Sequence, residues 1–163
     1  MFSKLVKVGS LFLTAVLASF GASAHADNIN TSGVSCRNYN ASEALDIDYL
    51  TNGVRNLNAS SRFVICPVPR SPLTGTPTPT FYVDGSNNPG TSTTCTVTVY
   101  NFLGTFVSSQ SFTQSVPSTG TTLNWDQPVT FPTPPSTFDY VSLLCFIPAN
   151  GGGLIHGATA VQP

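Results

Sequence analysis

The chain has 163 residues, and only 8% of them are Asp, Glu, Lys or Arg. Without a predicted leader of 26 residues it keeps 137, enough for one domain with its own core, with four arginines, seven acidic residues and no lysine. Nucleic acids and anionic membranes are bound through clustered Lys and Arg, so a net charge of −3 argues against both as partners.

The first 26 residues are typical of a secretory signal peptide. Lys4 and Lys7 precede an apolar stretch over 8–20, and cleavage sites of the A-x-A type end at Ala24 and Ala26. The apolar stretch is shorter than the roughly 20 residues of a membrane-spanning helix, and no later segment is long and apolar enough to span. The sequence therefore predicts an exported bacterial protein, periplasmic or secreted, with one domain over 27–163.

The mature composition predicts an all-β domain. Thr, Ser, Asn, Pro, Gly, Val and Phe are abundant, whereas strong helix formers are scarce. Several short strands with turn signals between them indicate a single β-sandwich, of jelly-roll or immunoglobulin-like Greek-key type. A partly open barrel is the alternative.

Apolar and polar residues alternate along several segments, and each such segment predicts a strand. Residues 45–49 would place three apolar side chains on one face and two aspartates on the other. Residues 63–66 form a continuous apolar run, which predicts a strand covered on both faces. Residues 81–83 predict a short strand that Asp84 and Gly85 close.

The second half of the chain predicts a hairpin and three more strands. The hairpin joins 94–100 to 105–113 through a turn at 101–104. Further strands are predicted around 123–125, over 141–147 and over 154–161. Proline cannot donate a hydrogen bond to a central ladder, so the proline-rich stretches 71–79 and 131–135 are predicted to be loops or extended edges.

The four cysteines, Cys36, Cys66, Cys95 and Cys145, are predicted to form two disulfides. Three pairings are possible. We favour Cys36–Cys66 with Cys95–Cys145, because these pairs close shorter loops and stay on their own sides of the proline-rich stretch. The cysteines are widely spaced and no C-x-x-C occurs, which argues against a zinc or redox site.

Two blocks around cysteines resemble a known sequence pattern. Residues 64–70 read VICPVPR and residues 143–148 read LLCFIP. These blocks resemble the C-P-[VL]-x-R and C-x-[IVL]-P blocks of small exported bacterial proteins of unknown function. The resemblance implies a disulfide-bonded β-sandwich and implies no activity.

Few residues could carry catalysis. His156 is the one histidine that remains after cleavage behind Ala26, and no nucleophile motif accompanies it. Asp46 and Asp48 could act with Glu43 as paired carboxylates in a hydrolase, but a solvated strand face explains their spacing. We expect no catalytic residue and no cofactor.

Two other features allow a ligand. Residues 84–88 (DGSNN) have closely spaced oxygen donors that could bind Ca²⁺, although the same residues suit a hairpin turn. Trp125 could stack on a sugar ring, but its alternation with Leu123 favours a place in the core. We predict no metal site.

Three classes of function remain. The preferred one is a non-catalytic exported β-sandwich with a binding, surface or structural role, probably monomeric, whose partner would be a glycan or a protein. The second is a secreted hydrolase of a polysaccharide or ester. The third is a pilus-type subunit completed by a neighbour's strand, which the polar residues 27–35 argue against.

Overall fold

The computed structural model describes residues 28–68, 80–131 and 139–161, which fold into two packed antiparallel sheets. Two short 3-10 helices, Gly33–Ser35 and Ala41–Glu43, interrupt the strands near the N-terminus. The strands are β1 (Asn28–Ser32), β2 (Arg37–Asn38), β3 (Ile47–Leu50), β4 (Gly53–Asn56), β5 (Arg62–Val68), β6 (Thr80–Asn87), β7 (Ser92–Tyr100), β8 (Phe106–Ser115), β9 (Leu123–Val129), β10 (Tyr140–Ile147) and β11 (Gly153–Val161).

The two sheets form the predicted β-sandwich. The six-stranded sheet has the order β3-β4-β11-β6-β9, and β1 also pairs with β11, next to its C-terminal half. The five-stranded sheet has the order β2-β5-β10-β7-β8. The predicted hairpin is confirmed as β7 and β8, and the predicted last strand as β11.

The core lies between the two sheets. Its side chains come from alternate positions of each strand, because successive residues of a strand point to opposite faces. On β7 the inward positions Cys95, Val97 and Val99 are fully buried, as the sequence predicts. The same alternation along β10 buries the side chains of Val141, Leu143, Cys145 and Ile147.

Both predicted disulfides are present. Cys36–Cys66 joins the residue before β2 to β5, and Cys95–Cys145 joins β7 to β10 at directly opposite positions. Each bridge therefore links neighbouring strands of the five-stranded sheet. The sulfur atoms lie in the core, so the cysteines staple the sheet from its inner side.

Three buried polar side chains satisfy their hydrogen bonds locally. The Asn56 amide donates to the Ser60 and Pro148 carbonyls at 2.8 and 3.2 Å, and its oxygen accepts from the Asn58 N–H. Thr93 Oγ1 donates to Asn87 Oδ1 at 2.7 Å. Buried polar groups are tolerated when they are paired in this way.

Three local predictions are wrong. Leu45 lies in a turn before β3 and is 97% exposed, so it does not share a buried face with Ile47. β5 is buried on one face only, because Phe63 and Ile65 are each 39% exposed. Asp84 and Gly85 do not close a strand, since β6 continues to Asn87.

Some predictions fall outside the described residues. They are the signal peptide over 1–26, the proline-rich stretch 71–79, most of the stretch 131–135, and the last two residues of the VICPVPR block. Within the three described ranges, no helix has the length and apolarity needed to cross a bilayer.

Candidate binding face

The outer face of the five-stranded sheet carries three neighbouring aromatic side chains, which we call the aromatic row: Tyr39, Phe63 and Phe146. Phe63 and Phe146 lie opposite each other on β5 and β10, with ring centroids 4.7 Å apart. Tyr39 follows β2 and donates its backbone N–H to the Phe63 carbonyl, which places the two ring centroids 6.2 Å apart. The rings are 39–56% exposed, so this row offers a wet apolar surface.

Hydroxyl groups continue the same face beyond the aromatic row. Phe146 lies opposite Thr94 on β7, and the Thr94 hydroxyl is 2.9 Å from that of Thr113 on β8. One row further along, the Thr96 and Ser111 hydroxyls are 2.8 Å apart. The face therefore changes from aromatic at β5 and β10 to hydroxyl-bearing at β7 and β8.

This face carries little charge. Arg37 is the one charged residue among the outward positions of the five described strands, and its guanidinium donates to the Cys36 and Val34 carbonyls. An exposed apolar patch beside neutral polar groups is characteristic of binding surfaces. Since charge is nearly absent, the face suits a neutral partner with both apolar and hydroxyl surface.

The sequence analysis did not find the aromatic row. The apolar run 63–66 predicted a strand covered on both faces, and an apolar pattern alone cannot distinguish a covered face from an exposed one. A signal was present nevertheless: Phe63 and Phe146 each alternate with buried residues of their strands. Their outward position could have been predicted had the register been known.

The carboxylates considered for a hydrolase are occupied by arginines. Arg62 Nε lies 2.7 Å from Asp46 and 3.7 Å from Glu43, and Arg55 lies 2.8 Å from Asp48. Hydrogen bonds from Arg62 and then from Asn58 lower the pKa of Asp46. A general acid needs a raised pKa, so Asp46 is poorly suited to that role.

A different pair of carboxylates meets on the outer face of the six-stranded sheet. Asp84 on β6 lies directly opposite Asp126 on β9. Burial raises the pKa of Asp84, and a hydrogen bond and charge repulsion from Asp126 raise it further, while His156 lowers it. His156 lies at a β-bulge of β11, with Nδ1 2.8 Å from the Asn52 carbonyl oxygen.

The predicted oxygen donors of residues 84–88 do not converge. Asp84 and Ser86 point outward from β6, whereas Asn87 is buried and bound to Thr93. Asn88 bonds with Thr122 and Gly151 instead. Throughout the described part of the chain, no three His, Cys, Asp or Glu side chains come together as a metal site.

Trp125 is a core residue, as the sequence favoured. It is 8% exposed, and its ring packs against Phe112 with a centroid distance of 6.0 Å. Its predicted companion Leu123 is 46% exposed instead, near the start of β9. Trp125 is therefore unavailable for stacking on a ligand.

Fold and surface together define a disulfide-stapled β-sandwich with one open, nearly uncharged sheet face. No family model and no curated protein match the chain. Among solved structures it is similar to the CBM36-1 domain of a multidomain xylanase from the hindgut metagenome of Trinervitermes trinervoides. The TM-score is 0.50 at 12% identity, covering 84% of this chain and 98% of that domain.

A second similar structure is the C-terminal CBM6 of LamC, a marine laminarinase from Zobellia galactanivorans. Its TM-score is 0.46 at 16% identity, covering 83% of this chain and 100% of that one. At such identities the likeness to the CBM36-1 domain describes the fold alone.

Proposed function

We propose that the protein is a non-catalytic binding module for neutral glycans and that its ligand lies across the aromatic row. The observation that carries the proposal is the exposed row Tyr39, Phe63 and Phe146 beside a hydroxyl-bearing sheet surface. Sugar rings present an apolar C–H face that packs on aromatic rings, and hydroxyls that pair with Thr and Ser. The row spans two strand spacings, roughly 10 Å.

The shared fold supports this proposal. The similar CBM36-1 and CBM6 domains are carbohydrate-binding modules by name, attached to a xylanase and a laminarinase. The low charge of the face favours neutral over acidic polysaccharides, since a uronic acid chain would need cations that the face lacks beyond Arg37.

The test is a binding measurement with the mature chain, residues 27–163. Affinity electrophoresis and calorimetry against neutral and acidic polysaccharides should detect binding to a neutral one. Phe146→Ala and Tyr39→Ala should each weaken it by at least about tenfold, because the stacking surface is lost. Phe102→Ala is the matched control.

Phe102 is 67% exposed at the turn between β7 and β8, so its truncation removes an equally wet ring away from the row. It should leave binding unchanged. Absence of binding to every neutral polysaccharide, or equal loss in the Phe102 control, would contradict the proposal.

A second candidate, a hydrolase, is favoured by one observation. Asp84 and Asp126 face each other on an open sheet surface, and the pKa of Asp84 is raised. Paired carboxylates of unequal pKa are the machinery of glycoside hydrolysis. Turnover of a bound polysaccharide that Asp84→Asn abolishes would establish this candidate, whereas binding without turnover supports the module.

We also infer that the protein is exported, which its signal-like N-terminus and two disulfides support. The pilus alternative is less favoured. β11 already has partners from its own chain on both sides, so the described sheet leaves no central gap for a donated strand.

A further inference from the structure

β8 is a long edge strand without the usual protection. It spans ten residues, Phe106–Ser115, and among the described strands it pairs with β7 alone. Half of the backbone N–H and C=O groups of an edge strand point away from the sheet and can pair with another chain. From Ser92 to Ser115 there is no charged residue and no proline to prevent this.

The other described edges differ. β9 carries an exposed Asp126 and Pro128, and proteins commonly use charge and proline to block edge pairing. β3 has four residues, including the ion-paired Asp48. β1 and β2 are only five and two residues long. Long, neutral and proline-free, β8 stands apart.

One end of β8 is closed. The Gln114 carbonyl accepts from the Asn87 amide at 2.5 Å, and the Gln114 side chain donates to Gln127 at 2.6 Å. The open part of the edge is therefore residues 106–113. Its middle is near Gln110, whose side chain is exposed.

We propose that β8 pairs with β8 of a second copy of this chain, antiparallel about a two-fold axis at Gln110. The strand is self-complementary, since a copy meeting itself brings no like charges together. Residues opposite each other in such a pair lie on the same face. Gln110 would face its own copy, Ser108 would face Phe112, and Ser109 would face Ser111.

This pairing would join two five-stranded sheets into one ten-stranded sheet. The hydroxyl surfaces of β7 and β8 would become continuous across the two-fold axis, with an aromatic row at each far end. The inference does not rest on glycan binding, because it concerns the backbone edge and is measured without ligand. It departs from the monomer that the sequence alone favoured.

The experiment is sedimentation of the mature chain across a wide concentration range. The wild-type protein should approach twice the monomer mass. Gln110→Lys and Gln110→Glu should each raise the dissociation constant of the dimer roughly tenfold, because like charges then face each other. Mixing the two variants should restore association, since the charges become opposite.

The matched control is Asn124→Lys, which places the same charge at an exposed position on the β9 edge. It should dimerise like the wild type. Hydrogen exchange should show β8 amides gaining protection with concentration, while β9 amides do not. A monomer at all concentrations, a dimer unaffected by Gln110→Lys, or variants that fail to associate when mixed would overturn the proposal.

Discussion

At the scale of single residues, Asp84 works against the stability of the fold at neutral pH. It lies across from Asp126, and burial together with that neighbour raises the pKa of Asp84 above its ordinary 3.8. A carboxyl whose pKa is higher in the folded state binds its proton more tightly there. Folding is therefore favoured below about pH 3.8, and this advantage is lost as the pH rises through the folded-state pKa.

We expect Asp84→Asn to stabilise the protein at pH ~7 by about 0.5–1 kcal/mol, a modest value because solvent screens this partly exposed group. Urea unfolding at pH ~7 and at pH ~3 measures the difference. The gain should vanish at the lower pH, where the wild-type carboxyl is protonated in both states. An equal gain at both pH values would contradict this account.

Asp46→Asn is the control of opposite sign. Arg62 and Asn58 lower the pKa of Asp46, so this carboxylate stabilises the fold above about pH 3.8 and ceases to do so as the pH falls through its folded-state pKa. Its replacement should destabilise the protein at neutral pH and have little effect in strong acid.

At the scale of elements, β6 and β9 fit together because Gly85 has no side chain. The ring of Trp125 covers Gly85, and a Cβ there would meet Cζ2 of that ring and lie 2.7 Å from the Leu154 carbonyl oxygen. We expect Gly85→Ala to destabilise the protein by about 1–3 kcal/mol through overpacking. Trp125 is the sole tryptophan, so its emission spectrum should report the displacement directly.

Ser86→Ala is the matched control, because the next residue of β6 points to the opposite face. It should leave the tryptophan emission unchanged. If the emission of the Gly85→Ala variant also matches that of the wild type, the close packing of ring on backbone is wrong.

β6 also shows where turn chemistry misleads. The residues DGSNN are frequent in turns, yet here they continue a strand. Gly85 makes room for Trp125, and Asn87 satisfies its amide against Thr93 and Gln114 in the interior. Contacts between distant segments thus overrode a local preference that was read correctly as a preference.

At the scale of the whole molecule, the two disulfides link strands that are distant in sequence. Cys95–Cys145 spans a sequence separation of 50, and Cys36–Cys66 spans 30. On loop-closure entropy, we expect Cys95→Ala with Cys145→Ala to cost about 4 kcal/mol, and the other pair to cost slightly less. Thermal unfolding measures both double variants.

The intact protein provides a check on this prediction. Mass spectrometry under non-reducing conditions should show the loss of four hydrogens from the mature chain. Free thiols in that measurement, or a double variant that melts like the wild type, would contradict the assignment of the bridges as staples.

The sequence by itself determined the β-sandwich, the hairpin of β7 and β8, the inward faces of β7 and β10, and the favoured disulfide pairing. These follow from alternation, turn residues and loop closure, which are local in sequence. It also excluded Trp125 as a surface platform, because its alternation marked a core position.

Only the tertiary structure decided the candidate site. Tyr39, Phe63 and Phe146 come from three separate segments, and they meet because β2, β5 and β10 are neighbours in one sheet. Strand order also brought Asp84 to Asp126, took Asp46 and Asp48 to arginines, and left β8 at an edge. Which strands become neighbours depends on contacts between distant parts of the chain, and no local pattern contains that information.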